Sequence, residues 1–166
     1  MDPKLLVSLF DRHAAALELY AAQWADAPAD IVQEAFIRLV QQDPMPKQFV
    51  GWLYRTVRNG AISAARSSSR RRKRETAFVQ TARKWFESTA ESELDVETAT
   101  NALQELPEEQ REVIVAKIWG RLSFEQIADI ASISSSTAHR RYEAGLNTLR
   151  ERLGISWPTK SSSLKG

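Results

Sequence analysis

The chain has 166 residues and a formal net charge of +2, enough for one domain or two small ones that share little core. Hydrophobic residues make up 43%, too many for a disordered chain. The lack of cysteine excludes disulfides, thiolate zinc sites and cysteine nucleophiles, and two histidines leave little for a metal site. No apolar run approaches membrane-spanning length and the N-terminus does not read as a signal peptide, so a cytoplasmic protein without membrane insertion is expected. The small net charge hides segregation. Residues 55–74 hold eight Lys or Arg and no acid, and residues 87–112 hold nine Asp or Glu and one Arg. Two solvated faces would look the same, but eight like charges in one stretch repel one another, a cost that a phosphate partner relieves.

In chain order, residues 4–24 read as an amphipathic helix, with Leu5, Leu9, His13, Leu17, Tyr20 and Trp24 recurring at three- and four-residue steps. His13 is expected to pack rather than to ligate, since no second ligand lies near it. Asp26 to Ala29 is a break, with Pro28 near the next helix start. Residues 30–42, DIVQEAFIRLVQQ, form a second helix whose inward stripe is Val32, Ala35, Phe36 and Leu39. Asp30, Gln33, Glu34, Arg38 and Gln41 lie mainly on the other side. Asp43-Pro44-Met45-Pro46 is a rigid loop, because its two prolines fix two backbone angles. A third helix starts near Pro46 and runs to about Ser67, with Phe49, Trp52, Leu53, Val57 and Ala64 inward. Arg55, Arg58, Asn59, Ser63 and Arg66 make its second face. Trp52 sits on the apolar stripe and is expected to pack in the core. Tyr54 lies off the stripe and is the better candidate for stacking on an unpaired base. Arg70, Arg71, Arg72, Lys73 and Arg74 end this helix in a cationic run, read as a phosphate clamp in preference to a fraying, solvated end.

Residues 76–90 hold a further helix with Phe78, Ala82, Trp85 and Phe86 on one side, and the acidic, Ser- and Thr-rich stretch 87–98 reads as an inter-domain linker. Ala99, Ala102, Leu103 and Leu106 open a second domain. Pro107 starts the next helix, with Val113, Ile114, the methylene stem of Lys117 and Ile118 inward and Gly120 as its C-terminal stop. Ser123 to Ala131 is a short helix capped by Ser123, with Gln126 completing a capping box. After the break Ser132-Ile133-Ser134, in which Ile133 packs between helices, Ser134 caps a last helix with the stripe Ala138, Tyr142, Leu146, Leu149 and Leu153. Two helices joined by so short a turn are either a plain helical hairpin or a helix-turn-helix whose second helix enters the DNA major groove. Ser135, Ser136, His139, Arg140 and Arg141 at its start suit base edges and phosphates. The tail after Gly154 is polar and frayed, and Trp157 has no reading.

Taken together, LPEEQREV, GRLSFEQIADI and SISSSTAHRR resemble the fourth domain of bacterial RNA polymerase sigma factors, in particular the small extracytoplasmic-function group (group 4 of the sigma-70 superfamily). The residues that match are Leu106, Pro107, Glu108, Arg111, Gly120, Leu122, Ser123, Phe124, Ile127, Ala128, Ile133, Ser134, Thr137 and Arg141. DIVQEAF resembles the family's second domain, and FVGWLYRTVRNGAI resembles its promoter-melting, minus-ten-reading helix. The resemblance implies an all-α fold of two small helical domains joined by a linker. Residues 1–75 would be the second-domain-like bundle, 76–98 the acidic linker, 99–154 the helix-turn-helix domain and 155–166 a flexible tail. It implies that Asp30, Gln33, Glu34 and Arg38 dock on the clamp coiled coil of the polymerase's largest subunit, with the flap as a second contact. Tyr54, Arg55, Arg58, Asn59, Arg66 and the run Arg70 to Arg74 would bind the minus-ten region and its phosphates. Ser135, Ser136, Thr137, His139, Arg140 and Arg141 would read the minus-thirty-five element. An anti-sigma partner is expected by the same resemblance. No cofactor, metal or catalytic residue is implied.

Some residues depart from the family pattern. The loop at Asp43 to Pro46 lacks the Phe-Arg-Gly type sequence that holds a flipped minus-ten base. Glu143, Ala144, Gly145 and Leu146 stand where His and Arg often continue the recognition helix, and Ser132 and Ser136 replace glycines. Glu143 repels phosphate or accepts from a cytosine amine. Gly145 costs about 1 kcal/mol of helix stability relative to Ala. The resemblance implies a sigma factor that binds core polymerase and directs initiation, and not an enzyme. The alternative is a helix-turn-helix regulator that uses the C-terminal module alone. A hydrolase with a metal between Asp30 and Glu34 is disfavoured, because no His, Cys or Asp cluster and no phosphate-cradling glycine loop accompanies them.

Overall fold

The structure is a computed structural model that describes residues 1–67, 71–87 and 93–154, and of residues 71, 72 and 93–95 the backbone only. The tail with Trp157 and the residue Arg70 lie outside the described residues. The helices in chain order are α1 (Pro3–Ala21), α2 (Pro28–Val40), α3 (Phe49–Ser67), α4 (Arg71–Glu87), α5 (Glu93–Gln104), α6 (Glu108–Ile118), α7 (Phe124–Ala131) and α8 (Ser135–Leu153). Among the described residues there is no strand, in line with the all-α expectation.

Helix starts follow local chemistry. Asp2 accepts from the Lys4 amide at 3.0 Å, and Pro3 supplies a preset φ at the first turn of α1. Pro28 does the same for α2, which has no side-chain cap. Gly154 closes α8 in the left-handed region at φ 63°.

Helices α1, α2 and α3 pack on one another as a first bundle. Helices α6, α7 and α8 form a second, with α5 against α8. All four inward residues expected on α2 are buried, as are Leu9, Leu17, Tyr20 and Trp24 of the first stripe and Leu53 and Val57 of the third. Fully burying a leucine or valine contributes about 1.5–3 kcal/mol, so these stripes carry much of each bundle's stability. Leu5 is 40% exposed, while Leu6 beside it packs against the core, and His13, Phe49, Trp52 and Ala64 are half-buried.

The two bundles are not held apart. Contacts between α3 and α7 and between α1 and α6 join them, and one buried cluster runs from Leu9 to Ala138. The span expected as a linker is largely helical: 76–87 belongs to α4 and 93–98 to α5. Phe78 and Ala82 of α4 are buried in the shared core. The Trp85 indole donates to the Ala15 carbonyl of α1 at 2.9 Å, while the Trp85 and Phe86 rings meet Trp119 edge-on at 6.4 and 5.8 Å. Helix α4 therefore braces both bundles. Arg71 to Arg74 of the basic run belong to the start of α4 rather than to α3.

Helix α6 shows why this happens. Its apolar residues were read as one face, yet Glu112, Val113, Ile114, Val115 and Ala116 are all buried in succession. A helix buried on every side must be covered on every side, and α6 is covered by α7 and α8 on one flank and α1 on the other. Only its end emerges, where Ile118, expected inward, is 43% exposed. Gly120 lies just past it, but the left-handed residue is Arg121, at φ 53°. Gly120 is required by close approach: a Cβ there would stand 2.5 Å from the Ala116 carbonyl oxygen and 2.7 Å from the Tyr54 hydroxyl. Gly145 has the same reason, since a Cβ would come within 2.8 Å of Ile114 Cγ1. The helix propensity lost at Gly145 lets α8 approach α6. Gly120→Ala is therefore expected to destabilise the protein by about 1–3 kcal/mol through overpacking, read as a lower urea midpoint at unchanged slope. An unchanged midpoint would contradict this packing.

Candidate nucleic-acid interface

The helix-turn-helix is built by local hydrogen bonds. Ser123 Oγ accepts from the Gln126 amide at 3.1 Å, and Gln126 Oε1 accepts from the Ser123 amide at 2.9 Å, closing the capping box on α7. Ser132 caps the other end of α7 at φ 57°, and the next residue, Ile133, is half-buried against the core. Ser134 Oγ then accepts from the Thr137 amide at 3.1 Å and starts α8. Ala138 at the crossing is fully buried, and Tyr142, Leu146 and Leu149 pack on the core behind it.

This leaves Ser135, Ser136, His139 and Arg140 exposed together on the first turns of α8. Thr137 is half-buried, and its Oγ1 accepts from Ser134 Oγ at 2.8 Å and from Arg140 Nη2 at 3.1 Å, so it aims the arginine. The His139 ring stands edge-on to Phe124 at 4.9 Å, and its Nε2 lies 4.0 Å from Glu143. Arg141 is half-buried and 3.6 Å from Glu109 of α6, and so turns away from this cluster.

The second basic surface, on α3, is divided. Asn59, Ser63 and Arg66 are exposed, and Asn59 and Ser63 line a groove with Glu34 and Arg38 of α2. Arg55 instead pairs with Asp129 of α7. Arg58 Nε donates to Glu112 Oε1 at 2.6 Å with its guanidinium 5.7 Å from the Trp24 ring centre. Burial works against the charge on Arg58, but the hydrogen bond to Glu112 and its negative charge more than offset this and raise the guanidinium pKa. The same Glu112 oxygen accepts from Tyr20 Oη at 2.8 Å. Burial, reinforced by that carboxylate, pushes the Tyr20 hydroxyl well up.

Tyr54 corrects the sequence reading. Expected to be available for stacking, it is fully buried, 5.1 Å from the Tyr20 ring and under Gly120. Trp52 is the half-exposed aromatic of the pair. The stripe on α3 is wider than expected, because its Tyr54 side meets α6 and α7. Of the basic run, Lys73 is exposed, while half-buried Arg74 lines a cavity of about 470 Å³ with Gln23, Phe78 and Arg111. The side chains of Arg71 and Arg72 are not among those described. On α2, Asp30, Gln33, Glu34 and Arg38 are all exposed, with Arg38 Nε 3.0 Å from Glu34 Oε1. His13 is half-buried, and burial, aided by the charge of Arg12, lowers its pKa.

Sequence reasoning missed Tyr20, Trp24, Glu108, Glu112 and Asp129 as a set. Glu108 and Glu112 are one turn apart on α6, and the first accepts from the Trp24 indole at 2.5 Å. The one available signal was Glu112, an acid directly before the apolar run Val113 to Ala116.

Two family models match the chain, Sigma-70 region 2 over residues 9–71 and Sigma-70, region 4 over residues 97–149. A solved structure, the sigma factor RpoE in complex with the anti-sigma factor NepR from Bartonella quintana, is similar across both bundles. It is 25% identical, with a TM-score of 0.65 over 93% of this chain and 96% of that one. No curated protein matches at a significant level. The all-α fold, the exposed helix-turn-helix face and the two matched regions together define a sigma factor of the sigma-70 family, and the chain belongs to that family. Within it, the chain is of the extracytoplasmic-function type, a factor for transcription initiation.

Ser134→Ala is expected to lower stability by about 1 kcal/mol through loss of the α8 cap, measured by urea unfolding. Equal stability would mean that the Thr137 amide finds another acceptor.

Proposed function

We propose that α8 reads the minus-thirty-five element through Ser135, Ser136, Thr137, His139 and Arg140, with Arg141 bracing the helix against α6. Exposure of four of these groups on the first turns of a helix-turn-helix carries the reading. The Arg140 fork, held by Thr137, suits bidentate contact with a guanine edge. Helix α3 would bind the minus-ten region through Arg55, Arg58, Asn59 and Arg66, with phosphate contacts from Lys73 and the neighbouring arginines. The exposed face of α2, with Asp30, Gln33, Glu34 and Arg38, docks on core RNA polymerase at the clamp coiled coil, and the C-terminal module meets the flap. The protein would act in the cytoplasm without an enzymatic step, and an anti-sigma protein is a natural partner, as for the Bartonella relative. No described helix is long and apolar enough to cross a membrane.

The test is transcription in vitro. Core polymerase with this protein is expected to initiate at a promoter that core alone ignores, and failure to associate with core would end the reading. On a good promoter, Arg140→Ala is expected to cost about 1–3 kcal/mol of duplex affinity at fixed salt. Unchanged affinity would remove Arg140 from the reading set.

A further inference from the structure

We propose that the outer face of α1 and α2 is a self-association surface, on which a second copy of this chain docks with its α1 antiparallel to the first. The dimer stands on the geometry of that face alone. Its consequence, that dimer and polymerase exclude one another, rests on the reading of α2 as the polymerase-docking face.

The large hydrophobics left exposed among the described residues lie, Ile118 apart, on α1, on α2 or just before α1. Four of them, Val7, Phe10, Ile37 and Val40, line one groove of about 290 Å³ between the two helices. Val7, at 59%, is the most exposed of the set. Phe10 stands edge-on to buried Phe36 at 5.1 Å, which fixes its ring at the groove. Apolar side chains gathered on one face and rimmed by polar groups mark a protein interface. A groove between two helices is also the shape that takes a further helix.

The rim selects the occupant. Lys4, Val7 and Asp11 follow one another at three- and four-residue steps, so a cation, an apolar group and an acid form one exposed line along α1. A partner carrying one sign of charge would match one end of this line and oppose the other. A second α1 crossing antiparallel about Val7 and Ser8 matches both ends, because Lys4 and Asp11 lie equally far from that point along the helix. Lys4 of each copy then meets Asp11 of the other, and the two Val7 side chains come together near the twofold axis. Two α1–α2 pairs set face to face cover both grooves in a four-helix arrangement. The face is small, which places the dimer in the weak, reversible class. Gln33 lines the groove and also belongs to the docking face proposed on α2. A chain held in the dimer therefore cannot offer that face to polymerase.

The test is sedimentation velocity on the full chain across the micromolar range, at fixed salt. The mass is expected to rise with concentration from 18.8 kDa toward twice that. Val7→Asp, at a position exposed in the single chain, should weaken association about tenfold. Lys4→Asp or Asp11→Lys alone sets like charges together at both ends and should weaken it about threefold, and the two together should restore it. Core polymerase in excess should draw the chain out of the dimer. A single species of 18.8 kDa at every concentration overturns the proposal, and so does a dimer untouched by Val7→Asp. A double charge swap no better than the single ones overturns it too, because the two ends would then not meet. A monomeric chain that loses core polymerase on Val7→Asp assigns the groove to polymerase and overturns the second copy. Polymerase that binds a chain still dimeric overturns instead the docking reading of α2, and leaves the dimer standing.

Discussion

Glu112 is a carboxylate almost sealed from water, and the two groups that donate to it belong to the opposite bundle. A buried acid of this kind is not a gain in itself. Replacing such a cluster with well-packed apolar residues is often neutral or stabilising, whereas removing one partner costs about 3–5 kcal/mol. What it provides is position. The Tyr20 hydroxyl and the Arg58 guanidinium meet on one oxygen only in one arrangement of α1, α3 and α6, so the pairing selects that arrangement from the many that apolar surfaces alone would allow. The contact of Tyr54 with Gly120 and the ring pairs at Trp119 depend on the same arrangement.

The pairing also explains an oddity of α6. Beyond Glu112 the helix is apolar and buried at four successive positions, Val113 to Ala116, which a surface helix of a small module cannot be. It serves as a shared wall, with Ile114 facing the close approach of α8 at Gly145 and Glu112 facing α1 and α3. The same wall covers Arg55 and Arg58 of the surface proposed on α3.

What was legible in the sequence was what is local. The capping box at Ser123 and Gln126, the cap at Ser134 and the stripe of α2 depend on residues three or four apart, and each stands as expected. The exposed cluster on α8 followed from the same periodicity. Contacts across long stretches of chain were not legible. Tyr54 lies off its stripe only if α3 has one neighbouring face, and its second face is made by residues some sixty positions later, at Gly120. Gly145 read as a weak point in a helix because the cost is local and the reason, Ile114, is in another element. The apolar side of α4 at Phe78 and Ala82 was legible, but not which bundle it meets, and the acidic stretch 87–98 read as a linker because its charge and composition carry no sign of α5 starting within it.

Arg55 and Arg58 of α3 thus hold carboxylates of the opposite bundle, and the firmness of the join rests on Glu112. That firmness is measured most directly by a double-mutant cycle on Arg58→Met and Glu112→Gln, read as unfolding free energy in urea. A favourable coupling of about 1–3 kcal/mol between the two positions is expected. A coupling indistinguishable from zero would mean that Glu112 and Arg58 merely lie side by side, and that the bundles are held by something else.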